Sequence, residues 1–346
     1  MSLTYTAFVS RRLIKYGGVG ILGFTFAYII IGVGIAAYLK AHPPYVPPDV
    51  KFGLLPKTVF PEKKFEKKNF TAELPNDKFP VYKDQAKVYV ITRPDNTFLA
   101  LDQDTITAKD FGFATKPSEV KYGVYEFKND SLNQTLTMNV LDGSFMLRYP
   151  YENDQLLLNP EKMPTKEEAV TIAKGYLAGA NKFPLDIAEG GERKVSYWKI
   201  GFEGLKSVSS LSEANIIKVD FFRKSITDDL KILSSDINGA SVSVLVTGSQ
   251  MEGKKIVEVS YKYANIDREL FSTYPIKTPE QAWNDLKIGN YWPASDVETN
   301  NVTIRKMYLA YFEPVSLTNY LQPIYVFEGD GKFAAYVPAV TDNFIK

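Results

Sequence analysis

Residues 16–39 read YGGVGILGFTFAYIIIGVGIAAYL, a run without one charged side chain. About 20 apolar residues in a helix cover the hydrocarbon core of a bilayer. The run is therefore expected to form a single transmembrane helix. Tyr16 and Tyr38 stand at its ends, where amphipathic rings favour the headgroup region. Arg11, Arg12 and Lys15 precede it, while Lys40 alone follows closely. This bias orients residues 1–15 to the cytoplasm and everything after the helix to the outer side of the cell membrane. A cleaved signal peptide is the competing reading. Its apolar region is shorter, about 7–15 residues, and it needs a small-x-small site that Leu39-Lys40-Ala41 does not offer. Small residues four apart, Gly23 with Ala27 and Gly32 with Ala36, would let two such helices approach closely as a homodimer.

The rest of the chain is too long and too ordinary in composition to be an appendage of that helix. Aromatic residues make up 14% of the sequence, with 22 Tyr and 22 Phe, which leans towards β-structure. A net charge of +1 supplies no field to gather nucleic acid, so no nucleic-acid partner is expected. There is no cysteine, which excludes disulfides, thiolate metal sites and a Cys nucleophile. The one histidine, His42, falls in a proline-rich stretch just after the apolar run. A Ser-His-Asp triad inside a folded domain is thereby excluded, and no cofactor is implied.

Residues 40–80 carry prolines at 43, 44, 47, 48, 56, 61, 75 and 80. Such spacing opposes helix and central strand, so the segment reads as an extended, semi-rigid stalk. Beyond it, three α+β modules are expected, at 81–162, 163–275 and 276–346. The first opens with the strand AKVYVIT, has a short helix near 102–111, and closes on a hairpin turned by Asp142-Gly143. The second begins with Thr165-Lys166-Glu167-Glu168, a capping box, followed by Ala169, Ile172, Ala173, Tyr176, Leu177 and Ala180 at helical spacing. The third begins with Thr278-Pro279-Glu280-Gln281, a Thr cap with Pro at the first helical position, and an apolar stripe of Ala282, Trp283 and Leu286. A closing hairpin turns at Asp330-Gly331. Helices laid on one face of antiparallel sheets define the α+β class.

The search for chemistry yields little. Ser118-x-x-Lys121 and Ser196-x-x-Lys199 match the spacing of Ser-Lys enzymes, but neither lies where a helix would bring the two side chains together. Asp102-Gln103-Asp104 resembles the opening of a calcium loop, and acidic capping of a helix start explains it better. Asp228-Asp229 reads as a solvated turn. Trp292, in GNYWPAS, is the best candidate for an exposed aromatic. With the basic cluster Lys63, Lys64, Lys67 and Lys68 it forms the candidate binding surface.

The segments TPEQAWNDLKIGNYW, IRKMYLAYFEP and YLQPIYVFEGDGKFAAYVPAV, with TKEEAVTIAKGYL and the N-in helix, resemble PepSY-like modules. They are most similar to the extracytoplasmic regions of the YycH/YycI family, single-pass proteins that regulate a cell-wall histidine kinase. The chain also looks like a group of single-pass proteins of candidate-phylum bacteria in which a proline-rich linker precedes such modules. The resemblance implies a non-enzymatic regulator held outside the membrane, acting on an envelope or membrane protein. A structural envelope protein that binds glycan or wall polymer is the alternative.

Overall fold

The computed structural model describes residues 3–41, 45–92, 98–160, 162–202, 204–227, 230–314 and 318–346. They fall into two compact units, Met1–Pro47 and Pro48–Lys346. In the first unit, α1 (Leu3–Ala41) is a single helix whose apolar side chains, Ile21, Leu22, Phe24 and Ile30 among them, are exposed. Its stretch Thr6–Lys40 is long and apolar enough to cross a membrane, as both anchors and signal sequences are. The Thr25 hydroxyl donates back to the Ile21 carbonyl at 2.8 Å and so satisfies its own donor on the apolar surface.

The second unit is built from strands and short helices. The first group comprises β1 (Asn69–Ala72), β2 (Gln85–Thr92), α2 (Phe98–Asp110), β3 (Ser118–Lys121), β4 (Val124–Asn129), β5 (Gln134–Asn139) and β6 (Phe145–Arg148). Next come α3 (Gln155–Leu158), α4 (Lys166–Gly179), α5 (Leu185–Ala188), β7 (Arg193–Gly201), β8 (Gly204–Val208), β9 (Ile216–Phe221) and β10 (Ile232–Leu233). The chain then continues through β11 (Val242–Thr247), β12 (Ile256–Tyr261), β13 (Asn265–Pro275), α6 (Pro279–Ile288), β14 (Trp292–Ser295), β15 (Asn301–Phe312), β16 (Tyr320–Gly329) and β17 (Ala334–Pro338). The class is α+β, with large, mainly antiparallel sheets.

The strands cut across the module boundaries at 162 and 275. A nine-stranded sheet runs β3-β4-β5-β6-β12-β11-β9-β7-β8, joined at the centre by β6 against β12. The other sheet has eight strands in the path β1-β15-β16-β17-β14, with β10 on β15 and β2 bridging β16 to β13. AKVYVIT, read as the opening strand of the first module, is therefore β2 of the eight-stranded sheet, paired from Gln85↔Pro275 to Thr92↔Asn265. The nine-stranded sheet is an insertion between β2 and β13.

Both capping boxes form. Thr165 and Glu168 exchange hydrogen bonds at the start of α4, and Thr278 and Gln281 do so at α6. Ala169, Ala173 and Leu177 of α4 are fully buried on the nine-stranded sheet beside Phe111 and Phe127. In the eight-stranded sheet, Met307, Leu309, Tyr325 and Phe327 face α6, while Ala310, Phe312, Ile324 and Val326 face the opposite way. Both sets are buried, so β16 reads as an almost unbroken apolar run rather than an alternating one.

The proline-rich segment helps to cover the second face, where Phe60 packs in the same cluster as Leu233 and Ile237. From Pro48 onward it is a strap packed on the sheet, not a stalk. Leu55 is fully buried and forms a parallel bridge with Ile345, and Phe60 stacks on Trp292 at 5.4 Å. Phe65, Phe70 and Phe79 then pack into the α6 side of the core. The prolines keep the strap from becoming a regular central strand, so buried side chains satisfy its carbonyls: Gln322 Nε2 donates to Pro56 O and Trp292 Nε1 to Pro61 O, both at 2.8 Å.

Candidate functional site

The residues expected to orient the helix, Arg11, Arg12, Lys15, Tyr16 and Tyr38, are all exposed along α1. The candidate surface of Trp292 and the lysines is rearranged by the strap. Trp292 is buried between Phe60, Phe312 and Tyr336, and its indole nitrogen is used by Pro61. It offers no exposed ring face to a sugar. Lys63 donates to Pro293 O, Lys67 to Ile288 O and Lys68 to Val297 O, at 2.7–3.0 Å. Lys68 is itself buried and lies 3.6 Å from Asp296. Three of the four lysines thus fasten the strap, and Lys64 is exposed beside them. His42 and Asp228-Asp229 lie outside the described residues.

The Ser-Lys spacings also resolve as strands. Ser118 and Lys121 belong to the exposed edge strand β3. In β7, the Ser196 hydroxyl accepts from Trp198 Nε1 at 2.8 Å. Asp104 lies in the interior of α2, so helix-start capping does not explain it.

A groove of about 1240 Å³ lies between the two sheets. Its seam is set by the segment following β9, which leaves the nine-stranded sheet at Phe222 and adds β10 in parallel to β15. At the seam Arg223 is buried. Its Nη1 donates to Glu313 Oε1 and to Ala264 O, both at 2.6 Å, and its Nε donates to Asp186 Oδ2 at 3.2 Å. The guanidinium also lies 4.2 Å from the centre of the Tyr263 ring. Burial works against its charge, but Glu313 and then Asp186 more than offset this and hold the guanidinium above its ordinary range. Ser241 Oγ donates to Glu313 Oε2 at 2.9 Å, so both carboxylate oxygens of Glu313 are engaged.

Around this fixed charge pair the groove is predominantly cationic. Arg193 and Lys194 come from the start of β7, Lys306 from β15, and Lys231 and Lys332 from the connecting turns; Glu192 and Glu328 are the acids. Lys231 pairs with Glu192 at 3.2 Å, and Glu328 accepts from the Tyr308 hydroxyl at 2.6 Å. Burial, reinforced by Glu328, pushes the Tyr308 hydroxyl well above its ordinary range, so it serves as a donor and not as a base. Among the described residues no acid forms an ion pair with Arg193, Lys194 or Lys332. The arrangement can therefore hold anionic groups against a floor containing Leu230, Leu233 and Leu309. Sequence reading missed Arg223 and Glu313. The available signal was a charge set directly after a buried strand, in FFRKS and in AYFEP.

No protein-family model and no curated protein matches this chain. Among solved structures, the chain is similar to an uncharacterized protein from Eubacterium rectale, at 13% identity and a TM-score of 0.39, over 77% of this chain and 86% of that one. It is also similar to the Bacillus megaterium YpeB C-terminal domain, at 13% identity and a TM-score of 0.29, over 72% of this chain and 95% of that one.

Proposed function

We propose that this chain is a non-enzymatic, membrane-anchored binding protein that regulates an envelope or membrane partner through protein–protein contacts outside the cell membrane. In this reading α1 stays in the bilayer with the N-terminus cytoplasmic, and the inter-sheet groove receives an acidic segment of the partner. The observation that carries the reading is the groove itself, where Arg193, Lys194 and Lys332 flank an apolar floor and, among the described residues, have no ion-pair partner. Charges of one sign around a cleft speed the encounter with an oppositely charged partner and orient it. The exposed apolar helix and the sequence resemblance to PepSY-like modules support the same reading.

Crosslinking in native membranes tests it, with a photoreactive residue placed at Lys194 or Lys332. A specific protein adduct that weakens when Arg193 is reversed to Glu supports the proposal. Adducts no stronger than those from a probe on β3 would count against it. The alternative, an envelope protein that holds glycan or wall polymer, draws on the same cations. It predicts instead that the protein sediments with purified wall and is released as salt is raised.

A further inference from the structure

We infer that a second cleft, formed by α2, the end of α4 and the β5–β6 hairpin, binds a small zwitterionic amino acid, its ammonium group on Asp104 and its carboxylate on Lys182. The cleft has a volume of about 470 Å³, in the range of small-molecule sites. It does not overlap the inter-sheet groove and does not depend on the reading given to that groove.

Asp104 is 8% exposed, and its Oδ2 has no hydrogen-bond partner among the described residues. A helix-interior position explains this isolation, because the backbone donors around it are spent on the helix. Lys182 enters the same cleft from the turn after α4, where its backbone N–H donates to Leu177 O at 2.8 Å. The two charges influence each other, yet no ion pair joins them. Opposite charges in a buried cleft close on one another when their backbones allow it, since each unpaired charge carries a desolvation penalty. Among the described residues neither forms an ion pair, and burial pushes the Asp104 carboxyl up and the Lys182 amine down, each towards its neutral form.

A ligand that relieves both penalties must present a cation to Asp104 and an anion to Lys182. A simple amine or a simple carboxylate relieves only one. Asp142 adds negative potential on the Asp104 side and favours the ammonium there. Leu99, Ile106 and Val140 line the cleft and suit an apolar side chain on the ligand. A metal ion is a poorer fit, because hard cations need several oxygen ligands and no three acidic or imidazole groups gather among the described residues.

The test uses the full chain in detergent and three probes: leucine, 3-methylbutylamine and 4-methylpentanoate. Leucine is expected to raise the melting temperature saturably, with each one-charge analogue at least tenfold weaker. Asp104→Asn and Lys182→Met should each weaken leucine at least tenfold while leaving the far-ultraviolet circular dichroism unchanged. No saturable effect at millimolar leucine overturns the proposal, as do equal responses to the three probes or undiminished binding by Asp104→Asn. Should either variant fail to fold, saturation-transfer NMR of the unmodified chain with the three probes decides alone.

Discussion

Arg223 and Glu313 meet at 2.6 Å across the seam between the two sheets, and both are buried. Removing one member leaves the other charged without its partner, which in buried pairs costs about 3–5 kcal/mol. Glu313→Ala is therefore expected to lower unfolding stability by about that amount in urea titrations. Arg223→Met combined with Glu313→Leu should lose less than the two single changes together, because neither member of the pair is then stranded and the remaining loss falls on Asp186, which also contacts Arg223. Equal, additive losses would show that the pair is not coupled.

The strap makes a second stability prediction. Leu55 is fully buried, its N–H donates to Phe344 O at 2.8 Å, and its carbonyl accepts from Lys346 N at 2.9 Å. Leu55→Ala should cost about 2–5 kcal/mol, the usual range for a large aliphatic cut back in a core. Hydrogen exchange should also quicken around Leu55 and Ile345 while α4 keeps its protection. If exchange stayed slow at both ends, the strap would not be held by this contact.

Asp49 fastens the start of the strap by accepting from the Ser272 hydroxyl and from Thr273 N, with Lys51 2.9 Å away. Lys51 and the Ser272 hydroxyl hold its carboxyl well below the usual carboxylate range. A lowered folded-state value contributes stability above the unfolded-chain range near about pH 4, and that contribution is lost as pH falls further. Asp49→Asn should thus be less stable at pH 7 by of order 1 kcal/mol after solvent screening, with the gap narrowing below about pH 4.

Asp104 has the opposite sign. Burial raises its carboxyl, so its neutral form stabilises the fold at low pH and that contribution fades as pH rises through the folded-state value. Relative to Asp104→Asn, the unmodified protein should lose stability as pH rises from the unfolded-chain carboxylate range, near about pH 4, towards neutrality when no ligand is added. Parallel stability curves for the two proteins across that window would contradict the buried placement of this carboxyl.

The anchor reading predicts that Ile30→Arg, within the uncharged stretch of α1, opposes insertion by about 2.5–3.5 kcal/mol. Carbonate extraction of membranes should then release a measurable fraction of the chain. Complete release of the unmodified protein would instead favour a cleaved signal sequence.

Much of the fold was legible where the signal was local. The capping boxes at Thr165 and Thr278 state where two helices begin, because a Thr hydroxyl and a Glu or Gln three residues on satisfy specific backbone donors. The turns at Asp142-Gly143 and Asp330-Gly331 were legible for a similar reason, each Gly taking a positive φ. What escaped was non-local. Nothing in AKVYVIT says that its partner is β13 rather than the next strand, and the prolines at 56 and 61 look alike in a free stalk and in a packed strap. Trp292 looked exposed because GNYWPAS has the composition of a turn, whereas Phe60 and Tyr336 bury it from distant parts of the chain. Asp104 was visible as a residue, and its isolation became legible only once α2 and the end of α4 were brought together.

The insertion of the nine-stranded sheet between β2 and β13 also sets an order of assembly. As the chain emerges from synthesis, β2 appears long before β13, while β3 to β9, β11 and β12 can find each other as they arrive. The inserted sheet is thus able to condense first, leaving the aromatic strap and β2 as unpaired, aggregation-prone chain until β13 is made. A protein wired in this way has to keep its first strand available for a partner made much later.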